Sequence, residues 1–323
     1  MRIGLIVFFG LFAVAWVFAK DGPVERNLSF DEAILPESST DLAAWLARSE
    51  LQFSDIRPGD GKQIVWAGVA GKKTPLAIVY LHGFSGGPWE IRPVPDRVAK
   101  ALGANLFFTR LTGHGRSSAA MAMASAGDWL HDTAEALAIG RRLGDRVVVI
   151  ATSTGGTLAA VAATEPALAQ DMAGIVMISP NFGLRRGEAM LLDMPFVQAW
   201  GPLLVGRELG FEPVNAGHAA HWTTRYPTRA VFPMAALVNY ARKLDYGAVK
   251  VPILVLISPQ DQVVSPRKTR STLAGWGGPV TLVERQIGPG DDPYAHILAG
   301  DILSPNQTAP VVGLITDWLR GLQ

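Results

Sequence analysis

The sequence predicts an α/β protein built on a mostly parallel central sheet with helices on both faces. Short β-branched runs alternate with longer helical patterns, the rhythm of parallel strands joined by crossover helices. Several of those runs are solidly apolar, as in Val147-Val148-Val149-Ile150 and Ile253-Leu254-Val255-Leu256. A strand buried on both faces reads in that way.

Taken in order, strands are expected at Gln63–Val69, Leu76–Leu81, Asn105–Arg110, Arg146–Ala151, Gly174–Ser179, Pro252–Ile257 and Val280–Glu284. Helices are expected at Pro93–Leu102, Gly127–Leu143, Gly156–Thr164, Pro266–Trp276 and Pro310–Leu322. The last places Val311, Leu314 or Ile315, Trp318 and Leu322 on one face, as a helix docking on a sheet requires. From Phe182 to Lys250 the rhythm breaks: there is no convincing strand, and aromatics and prolines are frequent. An insertion of that size after the sixth strand would sit above the carboxyl ends of the strands, where open α/β sheets place their sites.

Composition narrows the function classes. The chain has 323 residues, 49% of them hydrophobic, enough for one large α/β domain with an insertion or for two small ones. Net charge is +1 with scattered basic residues, so no electrostatic footprint for nucleic acid exists. There is no cysteine, which removes disulfides, thiolate nucleophiles and cysteine-ligated metals. At the N-terminus Arg2 precedes an apolar run from Ile3 to Ala19, ended by Lys20 and Asp21. A charged start, an apolar stretch and small residues before a cut describe a secretory signal. At 17 residues the run also approaches a spanning helix, so residues 1–19 are expected to be a signal peptide or a membrane anchor. Either exports the remainder of the chain, to periplasm or exterior, with membrane association if the segment is retained. Oligomeric state is not legible.

The strongest local signal is Val149-Ile150-Ala151-Thr152-Ser153-Thr154-Gly155-Gly156. A buried strand runs into a turn of small residues around a serine, then into an alanine-rich helix. Presenting a serine at such a turn requires small residues two before and two after it, and Ala151 and Gly155 meet that need. The helix dipole then favours an oxyanion beside the serine. The competing reading is a plain Ser/Thr/Gly helix cap.

A second signal is Tyr80-Leu81-His82-Gly83-Phe84-Ser85-Gly86-Gly87, directly after a strand. Acyl transfer needs two N–H donors aimed at the tetrahedral oxygen, and the backbone amides of Phe84 and Thr154 are the candidates. His82 reads as a brace for this loop rather than as a base.

A nucleophilic serine needs an imidazole to take its proton and a carboxylate to hold that imidazole. At a strand-to-helix nucleophile turn the chain order is Ser, acid, His. Of the six histidines, His82, His114, His131, His218 and His221 precede the last strands, and His296 alone follows them. The acid belongs just after the Pro252–Ile257 strand, where Ser258-Pro259-Gln260-Asp261 supplies Asp261. Asp291 and Asp292 read as solvated turn residues and stay a minor alternative.

These pieces, together with Gly113-His114-Gly115-Arg116-Ser117, resemble the lysophospholipase, monoacylglycerol lipase and serine aminopeptidase-like branch of the α/β hydrolases, from about Ile64 to Leu322. The resemblance implies the α/β-hydrolase fold, with a core of 20–181 and 251–323 and a helical lid at 182–250. It also implies no cofactor, and a His114 beside the site that does not react. Ala151 stands where the commoner motif has glycine.

Within the insertion, Met190, Leu191, Leu192, Met194, Phe196, Val197, Trp200, Leu203, Leu204 and Val205 could wall an acyl chain or simply pack together. His218, His221, Trp222, Arg225, Tyr226 and Arg229 could meet an anionic head group or form an ordinary rim. The i, i+3 pair His218 and His221 lacks a third metal ligand nearby. The expected function is a serine hydrolase of apolar carboxylic esters such as an acylglycerol or lysophospholipid. Alternatives are a peptidase of the proline-iminopeptidase type and a non-catalytic binding protein.

Overall fold

In the computed structural model, residues 24–185, 192, 194 and 196–322 are described. The expected signal or anchor, 1–19, lies outside them, as do Met190 and Leu191. No helix among the described residues is long and apolar enough to cross a membrane.

Seven strands form the main sheet: β1 (Gln63–Val65), β2 (Thr74–Leu81), β3 (Asn105–Phe108), β4 (Gly144–Thr152), β5 (Met172–Ile178), β8 (Ile253–Ile257) and β9 (Val280–Glu284), in the spatial order β1-β3-β2-β4-β5-β8-β9. Only β1 runs antiparallel, pairing with β3, and every other pairing is parallel. Alternation along the strands divides the interior in two. Ala77, Val79 and Leu81 of β2 and Val147, Val149 and Ala151 of β4 face the helices Ala126–Leu143, Thr154–Ala163 and Val231–Ala241. Ile78, Tyr80, Val148 and Ile150 face the helices Val94–Leu102 and Pro305–Arg320. Both faces are therefore covered, which explains why the central strands carry no polar alternation.

Three expectations need correction. The Phe182–Lys250 insertion follows the fifth strand of the sheet, not the sixth, because a single strand, β1, precedes β2 among the described residues. It also contains strands after all: β6 (Glu208–Gly210) and β7 (Arg225–Pro227) form a separate antiparallel ribbon. Three residues per strand are too few to show a period. Finally, the last helix begins at Pro305, which serves as an N-terminal proline, so Pro310 lies inside it. The bounds of the insertion's helices, Val197–Val205, Ala216–His221 and Val231–Ala241 among the described residues, were not legible for related reasons. One carries Pro202 internally, one has six residues, and one is apolar nearly all round.

The insertion is fastened to the loop after β2. The Thr223 amide donates to the Ser85 carbonyl at 2.8 Å, and the Tyr226 ring meets Phe84 edge-on at 5.2 Å. Arg57 adds bonds to the carbonyls of His221 and Trp222.

Candidate active site

Ser153 stands between the end of β4 and the Thr154–Ala163 helix, at φ 50° and ψ −116°. Non-glycine residues adopt such angles only where the surroundings overdetermine them. Here the Ser153 amide donates to the Ile178 carbonyl at 2.9 Å, and its own carbonyl accepts from the amides of Gly156 and Asn181 at 3.0 Å. The turn is also sterically tight. A methyl group on Gly155 would come within 2.1 Å of the Leu81 carbonyl oxygen, so glycine is obligatory there. Ala151 is fully buried in β4, its small side chain accommodated.

The loop after β8 brings Asp261, and the loop after β9 brings His296. Asp261 Oδ2 lies 2.9 Å from His296 Nδ1, while its Oδ1 accepts from the amides of Val263 at 2.7 Å and Val264 at 2.9 Å. Asp261 is 1% exposed, and His296 and Ser153 only 8% and 7%. Burial pulls the imidazole towards neutrality. The charge and hydrogen bond of Asp261, with Asp292 and Glu90 behind, outweigh this and leave His296 raised above its ordinary value.

Phe84 lies in the turn after β2, and Thr154 is the first residue of the helix that follows Ser153. The first N–H groups of a helix have no intrahelical acceptor, which leaves Thr154 free to serve a ligand. His82 does brace its loop: Nε2 accepts from the Leu111 amide at 3.0 Å and Nδ1 contacts the Gly83 carbonyl at 2.9 Å. Burial lowers it to about 4 and holds His114 well below its ordinary value, so both are neutral imidazoles.

Asp292 differs from its expected solvated state. It is 4% exposed, and its Oδ2 accepts from the amides of His296 at 2.9 Å and Ile297 at 2.8 Å. It holds the backbone of His296 while Asp261 holds the ring. Its neighbour Asp291 caps the start of the last helix through Asn306 and Gln307. Sequence proximity to His296 was the available signal, but it could not say which oxygen faces inward.

Glu90 was missed altogether. It is 2% exposed and accepts at Oε2 from the Gly83 amide and the Tyr80 hydroxyl, both at 2.8 Å. A lone carboxylate in the Pro88-Trp89-Glu90-Ile91 stretch was its only mark.

His218 and His221 do not converge. His218 Nδ1 accepts from the Val214 amide and its ring stacks on Phe211, whereas His221 Nδ1 meets Asp60 at 2.8 Å. No group of three potential metal ligands occurs among the described residues. Of the apolar residues in the insertion, Phe196, Leu203, Leu204 and Val205 are exposed, while Leu192 and Val197 pack on the core. Trp222 is buried, and Arg225 is a solvated partner of Glu212.

Comparison with known proteins agrees with this architecture. The profile of the alpha/beta hydrolase family matches residues 78–296. A thermostable monoacylglycerol lipase from Bacillus sp. (strain H-257) is 28% identical over 200 residues, covering 59% of this chain and 73% of that protein. A solved structure reported with LipS and LipT, two metagenome-derived lipolytic enzymes, superposes with a TM-score of 0.67 at 23% identity, covering 82% of this chain and 99% of that one. A soluble variant of monoglyceride lipase from Saccharomyces cerevisiae, in complex with a substrate analog, gives a TM-score of 0.59 at 11% identity, covering 81% and 92%. At such identities the structural likeness speaks for the fold.

Proposed function

Since the chain belongs to the alpha/beta hydrolase family, we propose that it is a serine hydrolase of apolar carboxylic esters, with Ser153, His296 and Asp261 as its catalytic triad. The observation that carries this is the buried Asp261–His296 pair at the same sheet edge as a serine held at positive φ. His296 takes the proton of Ser153 as Oγ attacks the ester carbonyl, and Asp261 keeps the imidazole in the required tautomer. The amides of Phe84 and Thr154 stabilise the oxyanion. As the ester C–O bond breaks, His296 returns the proton to the departing alcohol, leaving an acyl group on Oγ. Water, deprotonated by His296, then releases the carboxylic acid and restores the serine.

An acylglycerol or lysophospholipid is the favoured substrate class, supported by the monoacylglycerol lipase relative and by the exposed apolar side chains of the insertion. The 182–250 segment acts as a lid over the core of 20–181 and 251–323. The N-terminal apolar segment supports export. Intact mass of exported protein distinguishes a cleaved signal, with the chain starting at Lys20, from a retained anchor; full-length protein left in the cytoplasm rejects export.

The decisive assay is turnover of p-nitrophenyl esters by the wild type and by Ser153→Ala. Loss in the variant with labelling of wild-type Ser153 by a fluorophosphonate supports the reading, and retained turnover sinks it. Aminoacyl reporters run alongside separate esterase from peptidase.

A further inference from the structure

Glu90 is a buried acid that the triad does not use, and its surroundings give it a task. The two bonds at Oε2 tie together the amide of Gly83, next to Phe84, and the hydroxyl of Tyr80 at the end of β2. Tyr80 in turn lies 3.1 Å from the hydroxyl of Thr152, the residue before the nucleophile. The loop closes tightly over this carboxyl. A methyl on Gly83 would lie 2.6 Å from Oε1 of Glu90 and 3.1 Å from Cβ of Ser153, and one on Gly86 would lie 2.7 Å from Oε1. Glu90 thus sits across a single glycine from the nucleophile, braced on both strands that flank the site.

We propose that Glu90 is a positioning residue for the reaction: its carboxyl fixes the Gly83-Phe84 backbone relative to Ser153. This follows from geometry, since the Phe84 amide can meet an oxyanion only if the Gly83 peptide is held. Burial raises Glu90 to about 7, against the bonds from Gly83 and Tyr80.

The inference rests on the triad reading above, and its test is separable from it. Glu90→Ala and Glu90→Gln are compared with wild type by kcat and KM on a p-nitrophenyl ester across pH, with thermal unfolding as the check on folding. Glu90→Ala should lower kcat by roughly tenfold to a hundredfold, with KM nearly unchanged, less than the roughly hundredfold to thousandfold lost when an oxyanion donor is removed outright. Glu90→Gln keeps an acceptor for the Gly83 amide and should recover most of that loss. A folded Glu90→Ala with kcat within about threefold of wild type overturns the proposal. So does a Glu90→Gln as impaired as alanine; if Glu90→Ala fails to fold, a folded Glu90→Gln with kcat more than about tenfold below wild type decides against it. An inactive wild type with unlabelled Ser153 would instead reject the triad reading.

Discussion

Asp261 divides its carboxylate between two tasks: Oδ2 meets Nδ1 of His296 at 2.9 Å, while Oδ1 accepts the amides of Val263 and Val264. The side chain that holds the His296 ring is thereby locked to its own loop. Asp261→Asn places an amide where an acceptor for the imidazole N–H is needed. By analogy with other triads, kcat should fall by roughly three to four orders of magnitude with KM little changed. Residual activity should show an acidic limb at lower pH, because the anion that raises His296 has gone. Steady-state kinetics between pH 5 and 9 measure both effects; kcat near wild type would remove Asp261 from the triad.

Asp292→Ala probes the backbone side of the same histidine. The amides of Tyr294, His296 and Ile297 lose their acceptor. Each buried N–H left unpaired costs about 1–3 kcal/mol, so a marked drop in Tm is expected together with lower kcat. Calorimetry on the purified variant checks the first part, and an unchanged Tm contradicts it.

Gly155→Ala should be far worse than Ala151→Gly, although both alter small residues of one turn. The added methyl on residue 155 meets the Leu81 carbonyl, which cannot retreat from its strand. We expect little soluble protein, or soluble protein that fluorophosphonate does not label. Ala151→Gly should retain labelling. Equal labelling of both variants would refute the steric account.

Buried Arg110 and half-buried Glu50 form a two-bond pair at 2.8 and 2.9 Å that ties the helix Ser39–Glu50 to the loop after β3. Burial raises the carboxyl of Glu50, but Arg110 and the Lys62 amide outweigh it and leave it lowered. Glu50→Ala strands the guanidinium and should cost about 3–5 kcal/mol. Urea denaturation measures this, and a loss below about 1 kcal/mol would mean that water reaches Arg110.

His82 should leave a signature in acid. Burial lowers it from 6.5 to about 4, so the unfolded chain takes up its proton first. Its contribution to stability is whole above 6.5 and is lost as pH falls through about 4. Glu90 and Asp132, both raised by burial, titrate in the opposite sense, so wild type alone is ambiguous. The gap in Tm between wild type and His82→Gln isolates the imidazole and should narrow between pH 6.5 and 4. A constant gap would show that His82 is not held neutral.

The fold and the triad candidates share a cause of legibility. Val147–Ile150 and Ile253–Leu256 announce buried parallel strands because burial on both faces removes polar residues. Ser153, Asp261 and His296 stand out because each must follow a strand end, which restricts where the chain can place them. The insertion lacked such a mark. The Val231–Ala241 helix is apolar around most of its circumference, and β6 and β7 are too short for a pattern.

What the sequence by itself determined was the class of fold, the order of its strands along the chain, and one serine, one acid and one histidine suited to act together. These follow from local periodicity and from residue types that the chemistry demands. Only the tertiary structure decided that Asp292 faces inward to hold the His296 backbone and that Glu90 lies one glycine away from Ser153. Those facts depend on which atoms from distant segments share a desolvated volume, and no spacing along the chain encodes that.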